Sequence, residues 1–149
     1  MYYSLTFGGE KNTWDDWNLI PTAPPMIAPP EPVLNLVEIP GRRLGPLDLS
    51  LFPFNRMSYQ RITGSWDFLR ETESTTMRKS MYEAIRKYLH GKYTTVMLEE
   101  DPTHYFRGRF QVGVPVNSQG PTAISISYNL EPVRFNQNGS IDSNWVVGI

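Results

Sequence analysis

Apolar and polar positions alternate most plainly over Thr122 to Phe135, TAISISYNLEPVRF. Ile124, Ile126, Tyr128 and Leu130 fall on one face, and Ser125, Ser127 and Asn129 on the other. A period of two is that of a strand buried on one side. Tyr59 to Leu69, YQRITGSWDFL, repeats the pattern, with Gln60, Ile62, Gly64, Trp66 and Phe68 opposite Arg61, Thr63, Ser65, Asp67 and Leu69. Gly64 there marks a bulge or a close backbone approach. Shorter strands are predicted at Ser4 to Phe7 and Val33 to Ile39, stopped by Gly8-Gly9 and Pro40-Gly41. Tyr93 to Glu100 and Tyr105 to Val114 read as a hairpin turning at Asp101-Pro102-Thr103. The period changes to 3.6 only in ESTTMRKSMYEAIRKYLHGK, where Met77, Met81, Tyr82, Ile85, Tyr88 and Leu89 form one stripe and Arg78, Lys79, Glu83, Arg86 and Lys87 lie opposite. Ser74 or Thr75 can cap that helix, Gly91 suits its left-handed end, and His90 is placed to meet its last carbonyls.

Two segments break these periods. Pro21 to Pro32, PTAPPMIAPPEP, has six prolines in twelve positions, which forbids a helix or a central strand and predicts an extended crossing. Residues 41–58, GRRLGPLDLSLFPFNRMS, are too long for a hairpin loop and too apolar for a solvated one. Leu44, Leu47, Leu49, Leu51, Phe52, Phe54 and Met57 need cover, from the chain's own core or from another chain. The expected architecture is mainly β (α+β): an antiparallel β-sandwich or split barrel, one flanking α-helix, and an extended arm at 41–58 within 33–69.

Composition agrees with a turn-rich β domain. The 149 residues include 13 prolines and 11 glycines, with 13% aromatic residues, enough chain for one ordinary core. A net charge of −1 without a basic stripe argues against direct nucleic-acid binding. The absence of cysteine removes disulfides, thiolate metal sites and a cysteine nucleophile, and fits a particle assembled in a reducing interior. The start, MYYSLTFGGE, has no secretory pattern, and no apolar run reaches membrane-spanning length.

Candidate chemistry is sparse. Asp15-Asp16 between Trp14 and Trp17 suggests paired carboxylates or a sugar cleft, but adjacent carboxylates point apart. A turn capped by Asn12 or Thr13, with the tryptophans packed, is the better reading. Glu99-Glu100-Asp101 with His104 is too loose for a metal site. There is no G-x-S-x-G elbow and no phosphate loop, and Arg107-Gly108-Arg109 reads as a charged outer face. No cofactor and no catalytic residue is expected. Trp14, Trp17 and Trp66 are expected as structural anchors.

Ordered strings carry a resemblance: SLTFGG and NTWDDWNLIP, then PPEP, VEIPG, LDLS and ITGSWDF, then YLHGK closing the helix, then LEEDP, HYF and GRF, and a final I-x-I-x-Y-x-LEP strand. Over about residues 4–135 the chain resembles the N-terminal domain of phage distal tail proteins, which is related to tail-tube proteins. The resemblance implies a hexameric ring between tail tube and tip or baseplate, with a channel that passes DNA without specific binding. It implies a structural protein of the virion tail, not an enzyme, with an arm at 41–58 reaching the neighbouring subunit. Residues 136–149 are expected to form a tail with no second domain, available to pack on a neighbour through Trp145, Val146 and Val147. A tail-tube subunit and a carbohydrate-binding β-sandwich are the alternatives.

Overall fold

The long strands of the sheet share one cause: most alternate side chains are apolar, and that face turns inward. A computed structural model of the chain describes residues 3–33, 36–37, 47–48, 59–70, 75–117 and 122–146. In chain order its elements are β1 (Leu5–Phe7), β2 (Lys11–Asn12), β3 (Ile20–Pro21), β4 (Leu36–Val37), β5 (Leu47–Asp48), β6 (Ile62–Arg70), α1 (Thr75–Leu89), β7 (Tyr93–Leu98), β8 (Asp101–Val112), β9 (Val116–Asn117), β10 (Thr122–Leu130) and β11 (Phe135–Asn136). The main sheet runs β2-β1-β7-β8-β10-β6-β3, with β9 added to β10 and β11 to β8. Every pairing in it is antiparallel. The sheet is curled and open, a half-barrel with one helix, so the mainly β expectation holds in its split-barrel form.

β10 lies at the centre because it pairs along its whole length with β6 and along half of it with β8. Ile126 stands opposite both Trp66 and Val112. Ile124, Ile126 and Leu130 are buried with Trp66, Phe68, Phe106, Phe110 and Val112. α1 covers this face from the β8 side: Ile85 and Leu89 are fully buried, and Met81, Tyr82 and Tyr88 are half-buried against the same core. Gly91 ends the helix with φ +76°, a conformation glycine adopts without strain, and its N–H donates to the Phe110 carbonyl at 2.7 Å.

Two glycines permit close approaches. A Cβ at Gly108 would lie 2.2 Å from the backbone oxygen of Asn129, so only glycine lets β8 and β10 meet there. At Gly64 the Tyr128 ring crosses the strand, its hydroxyl 2.4 Å from where a Cβ would stand. Gly64 is thus the site of a close side-chain approach and neither the bulge nor the backbone approach expected, since the β6–β10 register is unbroken.

Several boundaries differ from expectation. The hairpin turns at Glu99–Glu100, and β8 begins at Asp101 and runs through Pro102. Long-range bonds move the turn: the Glu99 N–H donates to the Ser4 carbonyl at 3.0 Å, and its carboxylate accepts from the Ser4 N–H at 2.7 Å. The register slips between Val96 and Leu98, where Pro102 has no N–H to offer the ladder. The last long strand stops at Leu130, and Phe135 belongs to a separate strand paired with Tyr105. His90 does not meet the helix carbonyls; its Nδ1 accepts the Val112 N–H at 3.0 Å. Trp145 packs edge-on against Phe106 of its own chain at 5.0 Å. The proline-rich crossing starts in β3 at Pro21 and ends in a β-bridge from Pro32 to Tyr59, with no regular structure between; it buries Pro25 and Pro30, while Met26 is 75% exposed. Of the strand expected at Val33 to Ile39, Leu36 and Val37 are in β4, and residues 34–35 and 38–39 lie outside the described residues.

Candidate functional site

The turn with two tryptophans is built around Asn12. Its side-chain oxygen accepts the N–H groups of Trp14 at 2.9 Å and Asp15 at 3.0 Å, and Asp16 returns a carboxylate to the Asn12 N–H at 2.7 Å. Thr13 is fully buried and accepts the Leu5 N–H at 3.0 Å. Asn18, at φ +52°, reverses the chain out of the turn. The Trp17 ring is buried, tilted on Phe7 at 6.2 Å and edge-on to Tyr88 at 5.9 Å, and Arg70 donates to its carbonyl. Asp16 is therefore committed to a backbone donor and Asp15 faces solvent. This arrangement is that of a capped turn, with nothing placed for acid–base work between the two carboxylates.

A second cluster fastens the C-terminal segment. Arg134 donates to Asp142 through Nε at 2.8 Å and through a terminal nitrogen as well, and lies 3.6 Å from Asp101. His104 bridges the two acids, Nδ1 to Asp101 at 3.0 Å and Nε2 to Asp142 at 3.4 Å. A guanidinium sits among these carboxylates, and among the described residues no group of His, Cys, Asp and Glu is placed to hold a metal ion. Burial pushes the Asp101 carboxyl up, but hydrogen bonds from His104 and Thr103 and the charge of Arg134 outweigh it and hold it low. The Asn144 N–H, followed by Arg134, holds Asp142 below the usual carboxylate range. Both groups titrate lower folded than unfolded. Their contribution is complete above the ordinary carboxylate pKa of about 4 and is lost as pH falls through the folded values. We expect the indole resonance of Trp145 to move toward its random-coil position on acidification below about pH 4, ahead of that of Trp66. Simultaneous movement of both would mean that the cluster does not secure this segment.

The third feature lies on the outer face of the sheet. Register places Thr63 (β6), Asn129 (β10), Arg109 (β8) and Tyr93 (β7) in one row across four strands. Ser65, Ser127 and Gln111 form the next row. A groove of about 610 Å³ runs over them, with Arg61 at one side; it also borders Gly64 and Tyr128, positions whose Cβ direction is toward the core. Arg61 donates through Nε to the Asn129 side chain at 2.5 Å and through a terminal nitrogen to its carbonyl at 3.2 Å. Arg109 donates to the Gly91 carbonyl at 3.0 Å. Beside the groove, Glu131 accepts from Arg107 at 2.8 Å and from the Tyr93 hydroxyl at 2.6 Å. Burial raises the Glu131 carboxyl, but those two bonds outweigh it and hold it low.

Trp17 and Trp66 are buried, Trp66 stacked on Tyr128 at 4.3 Å, while Trp14 is half-buried. Leu47 lies in β5, whose backbone pairs with β4 as Leu36 with Asp48 and Val37 with Leu47. Leu44, Leu49, Leu51, Phe52, Phe54 and Met57 lie outside the described residues. Sequence reasoning missed the groove. Its signal was present as polar residues at alternate positions of β8 and β10, but which strands stand side by side is not written in any one of them.

A curled, open antiparallel sheet with a single helix against it is the fold of phage distal tail proteins. One solved structure that the chain is similar to is the Dit protein of phage SPP1, described as a paradigm of the hub adsorption apparatus in phages infecting Gram-positive hosts. The match has a TM-score of 0.66 at 12% identity and covers 91% of this chain and 53% of that one. The chain thus spans about half the length of that relative, and the likeness is one of fold. No family model and no curated protein matches the sequence.

Proposed function

We propose that the chain is a structural subunit of a phage tail tip. It forms a hexameric ring that joins the tail tube to the tip or baseplate and leaves a channel for DNA. The observation that carries this reading is the shared fold over 91% of the chain with a protein described as a tail hub. The antiparallel pairing of β4 with β5 adds support, because it brings together the two ends of the segment in which Leu44 lies. In the ring, Leu44, Leu47, Leu49, Leu51, Phe52, Phe54 and Met57 leave water against the adjacent subunit, so that assembly stabilises each protomer. Burial of Trp17 and Trp66 disfavours the alternative of a sugar cleft lined by tryptophans, since neither ring is open to a ligand.

Light scattering and negative-stain microscopy of the purified chain test the proposal. The expected result is a particle of sixfold mass seen as a ring with a central hole. A monomer at all concentrations, or a ring of another order, contradicts it.

A further inference from the structure

We propose that the outer-face groove is a binding site for a small phosphorylated ligand that also carries hydroxyl groups. Charge is the first argument. Two guanidinium groups, Arg61 and Arg109, line the groove, and among the described residues no carboxylate does. Glu131, the acid whose field Arg61 feels, is already occupied by Arg107 and Tyr93. The groove therefore presents positive potential that nothing in its own lining cancels, on a chain whose net charge is −1.

Preorganisation is the second. A free surface arginine is a flexible chain, and ordering it opposes binding. Here Arg61 is held by two bonds to Asn129, and Arg109 by one to the Gly91 carbonyl. Each guanidinium has five N–H donors in a planar fork, so both retain donors for an anion. Phosphate suits such a fork, and bonds to it are charge-assisted.

Hydrogen-bonding capacity is the third. The side chains of Thr63, Gln111 and Ser127 make no hydrogen bond within the described residues, and all three line the groove. Donors and acceptors of this kind match the hydroxyls of a polyol or sugar, and the groove volume lies within the usual range of small-ligand sites. Nucleic acid would require a longer basic stripe than two arginines over neighbouring strands. The site stands independently of the ring.

Calorimetric titration of the full chain with a hexose phosphate, the neutral hexose, inorganic phosphate and a short DNA duplex tests it. The hexose phosphate should bind at least about tenfold more tightly than the other small molecules, because charge and hydroxyl contacts add. R61Q and R109Q should each weaken it about tenfold or more, and Gln111→Ala should weaken it less, with the circular dichroism unchanged. R86Q, on the outer face of α1, should have no effect. Gln111 makes no internal bond, so its variant remains informative if an arginine variant fails to fold. Failure of the hexose phosphate to bind, or equal affinity for it and for inorganic phosphate, overturns the proposal. Tighter, strongly salt-dependent binding of the duplex overturns it in favour of a nucleic-acid surface.

Discussion

Serine in place of Leu47, Leu49 and Leu51 together will convert the proposed sixfold particle to monomers while the helical signal of α1 persists. Each leucine that leaves water at an interface contributes on the order of 1.5–3 kcal/mol, and serine adds a hydroxyl that needs a partner. Three per subunit amount to roughly 5–9 kcal/mol at each contact, more than a thousandfold in affinity. α1 is held by core residues that the substitution leaves unchanged: Ile85 and Leu89 are fully buried in the cluster containing Phe110 and Val96. Loss of the ring with retention of helix separates an assembly surface from a folding core. If the triple variant kept its sixfold mass, the arm would not be the joint. If it lost both mass and helix, those leucines would serve the protomer's own fold.

Trp66→Ala will destabilise the protomer by about 3–5 kcal/mol, the usual loss when a buried aromatic is truncated and leaves a cavity. Trp66 is 5% exposed, stacks on Tyr128 at 4.3 Å and on Phe110 at 6.3 Å, and donates to the Met26 carbonyl at 3.4 Å. Its removal opens the core and releases the proline-rich crossing from the sheet. For a chain of this size each kcal/mol shifts the melting temperature by about 2–4 °C, so a fall of about 6–20 °C is expected. Trp14→Ala will cost less, because Trp14 is only half-buried. Equal losses for the two, by thermal denaturation, would contradict the anchoring role assigned to Trp66.

The period of two in Thr122–Leu130 and the 3.6 period of α1 placed the inward faces correctly, as burial of Ile126, Trp66, Ile85 and Leu89 shows. Such patterns are legible because each element must hide one face, and the spacing of its side chains along the backbone determines which one. Gly64 and Gly91 were legible for a similar reason: a missing Cβ signals a close approach or a left-handed residue.

Contacts between distant residues were not legible. The hairpin turn moved to Glu99–Glu100 through Ser4, which is 95 positions away. The polar groove exists only because β6, β10, β8 and β7 stand in that order with Thr63, Asn129, Arg109 and Tyr93 in register. Trp145 came to rest on Phe106 through the cluster of Arg134, Asp142, His104 and Asp101, whose members say nothing of one another in sequence. Local spacing determined by itself which residues face inward, because backbone geometry repeats the same way everywhere. Which elements became neighbours, and so what the outward residues can do together, was decided only by the tertiary structure, because long-range pairing depends on the energy of the whole packed sheet.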